Sequence, residues 1–121
     1  MLRLYDHIDL RVPDLPAAEP FYRILLPALG FTREQDVEGW LQFESEDGTQ
    51  FFGITESLSH RANENRIAFH AVEKAEVDRL AAIARDAGAL NIEGPLDYEK
   101  NYYATFFEDP CGNRFEVCYR T

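Results

Sequence analysis

Three short stretches of the chain interleave chemically capable side chains with apolar ones. His7, Asp9 and Arg11 alternate with Ile8, Leu10 and Val12. Arg66 and His70 flank Ala68 and alternate with Ile67 and Phe69. Arg114, Glu116 and Cys118 alternate with Phe115, Val117 and Tyr119. A period of two is that of a β-strand, so each polar set shares one face and each apolar set the other. Imidazole and carboxylate together can hold a divalent metal or move a proton, whereas a guanidinium only donates and so grips anions. Glu116 is the pointed case, because the run around it, FFEDPCGNRFEVCY, is otherwise aromatic, apolar or turn-forming. A solvent-facing strand residue, a metal ligand and a catalytic base are its three readings.

The elements that would position these residues come twice. HIDLRV and RIAFHA both alternate, and each leads into a helical stretch ending on glycine, DLPAAEPFYRILLPALG and EKAEVDRLAAIARDAG. In the second helix Val77, Leu80, Ala81, Ala84 and Ala87 follow the spacing of an amphipathic stripe, with Gly88 at the expected C′ position. In the first, Phe21, Tyr22, Leu25 and Leu29 carry the stripe, and Pro20 and Pro27 predict a short or kinked helix. Beyond the helices, FESEDGTQFF lies over FEDPCGNRFE without a gap. That alignment pairs His7 with Arg66 and Phe52 with Glu116, and it puts Gln50, Phe52 and Ile54 on the cleft face of their strand. Asp109, Pro110 and Gly112 suit a type I turn, so DPCG is accounted for structurally.

The predicted fold is therefore α+β: two βαβββ repeats forming a curved sheet around a cleft, with the helices on the outer face. One domain spans residues 1–121, with half-repeats 1–57 and 66–121 joined by a polar loop over 58–65; residues 35–39 form a second loop. Neither half is large enough to close a core alone.

Composition narrows the class. A net charge of −10, from 22 acidic against 12 basic residues, argues against nucleic acid or an anionic membrane as partner. No apolar run approaches a membrane span. The first residues, MLRLYD, lack a signal-peptide apolar region, so the cytoplasm is the expected compartment. Cys111 and Cys118 are expected to stay reduced. No phosphate-binding glycine loop and no serine–histidine–acid signature is present.

The stretches DHIDLRVPDL, FYRILLPALGF, RIAF and YYATFFEDPCGNRFEV resemble the vicinal oxygen chelate superfamily, which includes glyoxalases, bleomycin resistance proteins and extradiol dioxygenases. NYYATF points to its short glyoxalase-like branch. The resemblance implies a metal site drawn from four strand positions. His7 and Glu116 match two of them, as metal ligands with Glu116 also catalytic. Arg66 stands where a second histidine is usual, and Phe52 where some members carry a carboxylate. His70 lies four residues beyond Arg66, about 13 Å along a strand, and does not fill the same vertex.

Beside Glu116, Arg66 would be expected to form a bidentate ion pair; if it leaves the carboxylate free, Glu116 can relay a proton. Arg66, His70, Phe52 and Tyr103 are the expected substrate contacts, and Trp40, Tyr98, Tyr102 and Phe106 are further aromatic candidates. Which of Tyr102 and Tyr103 faces the cleft is open at this stage. Two functions follow. One is a small-molecule enzyme resembling glyoxalase-like lyases or isomerases, with zinc, nickel, manganese or iron binding vicinal oxygens, or with no metal; dioxygenation is disfavoured, since it wants two histidines and a carboxylate. The alternative is a non-catalytic protein that sequesters a small molecule, like the bleomycin-resistance members. Family precedent implies a homodimer.

Overall fold

The structure is a computed structural model that describes residues 4–121; Met1 to Arg3, the start of the stretch read for a leader, lie outside the described residues. The chain divides into two compact units, one up to Arg61 and the other from Ala62. Each runs strand, helix, three strands, as the repeat predicts. The first has β1 (His7–Val12), α1 (Leu15–Leu29), β2 (Arg33–Gln35), β3 (Trp40–Glu44) and β4 (Phe51–Glu56). The second has β5 (Arg66–His70), α2 (Lys74–Ala87), β6 (Leu90–Glu99), β7 (Tyr102–Glu108) and β8 (Arg114–Arg120). The sheets are ordered β1-β4-β3-β2 and β5-β8-β7-β6, with β1–β4 and β5–β8 parallel and the other pairs antiparallel.

Helix α1 runs 15 residues through both internal prolines, so it is not shortened as the sequence suggests. An interior proline costs roughly 3 kcal/mol. Burial of Phe21, Tyr22, Leu25 and Leu26 offsets this at roughly 1.5–3 kcal/mol per side chain. Asp14 caps its start by accepting from the Ala17 amide at 3.1 Å, and Gly30 closes it at φ 109°. Helix α2 buries Val77, Leu80, Ala81 and Ala84, four of the predicted stripe, and ends on Gly88. Both helices cover one face of their own sheet, α1 on β3 and β4, α2 on β6, β7 and β8. Each sheet thus has one face packed on its helix and one left for other use. Among the described residues no helix is long and apolar enough to cross a membrane.

The hairpins differ by one residue. In the second, the Asp109 amide bonds the Asn113 carbonyl and Gly112 bonds back to Asp109, the turn the sequence predicts. In the first, the Ser45 amide bonds the Gln50 carbonyl, so the loop is one residue longer. Strand register carries the difference: Glu44 faces Phe51, whereas Glu108 faces Arg114. Arg114 is thus matched by Phe51, and Glu116 by Gly53. The ungapped pairing of Phe52 with Glu116 is overturned, because a one-residue slip moves every side chain to the opposite face.

Candidate functional site

On the second sheet, Glu116 stands opposite Ala68 on β5 and Phe106 on β7. It is only 7% exposed, yet faces away from α2. The Tyr102 hydroxyl donates a short hydrogen bond to its Oε2. Burial first, and then that bond, push the Tyr102 phenol up to about 12, so the proton stays on tyrosine at neutral pH. Tyr98 packs edge-on to Phe106 at 5.1 Å and against Tyr102 at 6.3 Å. Burial, then the charges of Glu93 and Glu116, raise Tyr98 as well. Cys118 is raised by burial and by the neighbouring Glu116 charge, which keeps it a thiol rather than a nucleophile. Glu116 is therefore a buried carboxylate ringed by protic groups that hold their protons.

Arg66 does not pair with Glu116. Its guanidinium lies over the Phe106 ring at 4.7 Å, and in the strand register Arg66 stands opposite Arg114, two residues from Glu116. The expected bidentate pair is corrected: the aromatic face takes the guanidinium. Arg120 in turn lies 4.1 Å over the Tyr102 ring. His70 is exposed on the same face as Arg66, opposite Cys118.

The free face of the first sheet is a different surface. A hollow of about 370 Å³ is lined by His7, Asp9, Arg11, Trp40, Phe51 and their neighbours. The His7 ring stacks on Phe51, 4.5 Å between centroids and 7° from parallel. Its Nδ1 donates to Asp6 at 2.8 Å, since a carboxylate can only accept, and this leaves Nε2 as the acceptor of the neutral ring. Gly53 leaves the sheet surface bare beside Trp40, which is 42% exposed and bonded through Nε1 to Gln42 at 2.9 Å. Asp9 is engaged by Arg11 at 2.8 Å and by the Thr55 hydroxyl at 3.4 Å.

Two expected substrate contacts lie elsewhere. Phe52 is 0% exposed and packs edge-on to Phe31 in the core, so it lines no ligand surface. Tyr103 turns to the helix side, where its hydroxyl bonds Asp78 of α2 and Lys74 lies over its ring. Tyr102 is the tyrosine on the Glu116 face. Sequence reasoning missed Phe51, Gly53 and Thr55, because both parities of FFGITE look apolar. Asn91 and Glu93 were missed because β6 pairs irregularly with β7 and defeats simple alternation.

Of the strand positions that the resemblance implies for a metal site, those in the first unit hold His7 and, by the observed register, Gly53, and those in the second hold Arg66 and Glu116. Gly53 has no donor and Arg66 donates only. Among the described residues no three histidine, cysteine, aspartate or glutamate side chains are grouped to hold a metal ion. A catalytic centre generally needs about three protein ligands. The residues present therefore do not fit a resident metal.

A family model described as the Glyoxalase/Bleomycin resistance protein/Dioxygenase superfamily matches residues 4–117. No curated protein matches the chain. Solved structures share the fold. A glyoxalase/bleomycin resistance protein from Albidiferax ferrireducens is 24% identical over 97% of this chain and 98% of that one, with a TM-score of 0.80. A putative glyoxalase from Bacillus halodurans is 24% identical, covering 96% and 95%, with a TM-score of 0.78. A fosfomycin resistance protein, FosX, from Listeria monocytogenes, solved with Mn(II) and a dihydroxypropylphosphonic acid, is 23% identical, covering 100% and 93%, with a TM-score of 0.73.

Proposed function

Because the chain belongs to the glyoxalase/bleomycin resistance protein/dioxygenase superfamily, we propose that it is a small-molecule isomerase or lyase in which Glu116 transfers the proton without a resident metal. The observation that carries this reading is the position of Arg66, over Phe106 rather than on the carboxylate. A buried carboxylate without a cationic partner costs stability. Its retention among groups that keep their own protons supports a role as general base. Tyr102 occupies Oε2 and leaves Oε1 to take a proton from carbon and return it. We read the protein as a cytosolic homodimer, which light scattering after size exclusion tests.

The alternative of sequestration draws on one specific feature, the hollow on the first sheet walled by Trp40 and the His7–Phe51 stack, which suits a flat organic molecule. Incubation with small carbonyl and hydroxy compounds in D₂O, followed by proton NMR, separates the readings. Carbon-bound hydrogen exchanging with solvent in the wild type and not in Glu116→Gln supports the enzyme. Tight binding of flat aromatics to Trp40, with no exchange in any compound, favours sequestration. Exchange that requires added divalent metal would sink the metal-free reading.

A further inference from the structure

The free face of the second sheet carries a hollow of about 190 Å³ lined by Arg66, Arg114, Glu93, Glu108, Asn91 and Phe106, among others. Two charges of each sign share it, yet none of the four side chains is in an ion pair among the described residues. Two of them have other partners. Arg66 lies on the Phe106 ring, and Glu108 accepts from the Asn91 amide at 2.9 Å. Arg66 and Arg114 stand directly opposite each other on parallel strands. Like charges directly opposite each other on a sheet are destabilising. Glu108 stands opposite Arg114 in the register, yet its carboxylate accepts from Asn91 and forms no ion pair with that arginine among the described residues.

We propose that this hollow binds a small zwitterion of the amino-acid type, its carboxylate on Arg66 and Arg114 and its ammonium on Glu93 and Glu108. Guanidinium groups grip a carboxylate in a fixed, bidentate geometry, and two of them set its orientation. The paired glutamates then repel simple anions and select for the ligand's own positive charge. The volume of about 190 Å³ admits a small amino acid. Glu116 follows Arg114 by two residues on the same face of β8, about 7 Å along the strand, and stands opposite Phe106, which lines the hollow. That this zwitterion is the substrate rests on the proton-transfer reading of Glu116; its binding does not.

Isothermal titration at low salt tests the site, with glycine, alanine and serine against acetate and methylammonium. At least one zwitterion should bind tenfold or more tighter than either singly charged compound. Arg114→Gln and Glu93→Gln should each weaken it by tenfold or more, with melting curves checking that both variants fold, and Arg114→Lys should recover part of the loss. Acetate binding as tightly as the zwitterions, no zwitterion binding, or unchanged affinity in both folded variants overturns the proposal. Zwitterion binding with no carbon–hydrogen exchange defeats the Glu116 reading and leaves the site standing. Exchange on a singly charged compound, with no zwitterion bound, does the reverse.

Discussion

The two halves share an order of elements but leave unlike faces free. In the first, His7, Phe51, Gly53 and Trp40 make an aromatic surface whose charges, Asp9 and Arg11, pair with each other. In the second, the matching positions are Arg66, Arg114 and Glu116, beside Phe106. The chain therefore duplicates a scaffold and not a site. Helix-facing positions repeat, with Phe43 opposite Phe52 and Phe107 opposite Phe115 at 0–3% exposure, because both cores need the same packing. The free faces diverge because neither is packed on its helix.

This contrast can be broken at several points. Glu116→Gln should have the greatest effect, slowing hydrogen exchange by about 10²–10⁴-fold, the usual share of a general base. Its counterpart Gly53→Glu, where an added Cβ meets only ordinary contacts, should leave exchange unchanged. Equal effects would mean the halves are not specialised.

Phe52→Ala should lower folding stability by about 3–5 kcal/mol, as for other buried aromatics. The neighbouring Phe51→Ala should cost about 1 kcal/mol, because it loses the His7 stack and little core. Urea midpoints measure both, and the reverse order would restore the ungapped alignment of the repeats.

A smaller effect concerns alkaline stability. Tyr102 has a folded value of about 12 against an ordinary 10.0, so folding stabilises the protonated phenol. That contribution is full below pH 10 and is lost as pH rises through 12. Tyr103, raised to about 12 by its bond to Asp78 and by burial, acts in the same window. Denaturant midpoints should fall across it, and less steeply in Tyr102→Phe; an unchanged slope would show that folding does not raise this phenol. Deleting Thr49 should have the least effect, below about 1 kcal/mol, since the first loop then shortens to the length of the second with strand register kept. A large loss would show that the longer turn is needed in its own right.

Much of the scaffold was legible because it rests on local rules. The stripe of α2, the glycines after both helices and the Asp109–Gly112 turn are readable from spacing alone. Proline spacing misled for α1, where buried Phe21, Tyr22, Leu25 and Leu26 outweigh local propensity. Alternation placed Glu116, Arg66 and His70 correctly on one face, since regular strands carry them. It failed at Phe52, because the turn before that strand is one residue longer than its repeat. It left Tyr102 and Tyr103 undecided, since both parities there are aromatic and only Asp78 on α2 distinguishes them.

The amino-acid sequence by itself determined the repeated βαβββ order and the polar face on which Glu116 lies, because hydrophobic periodicity is a property of each strand alone. Only the tertiary structure decided what Glu116 meets. Tyr102 reaches it, and Arg66 prefers a ring to a carboxylate. Both outcomes depend on strand register and on which neighbour lies nearest across the sheet, relations between residues distant in the chain that no local pattern records.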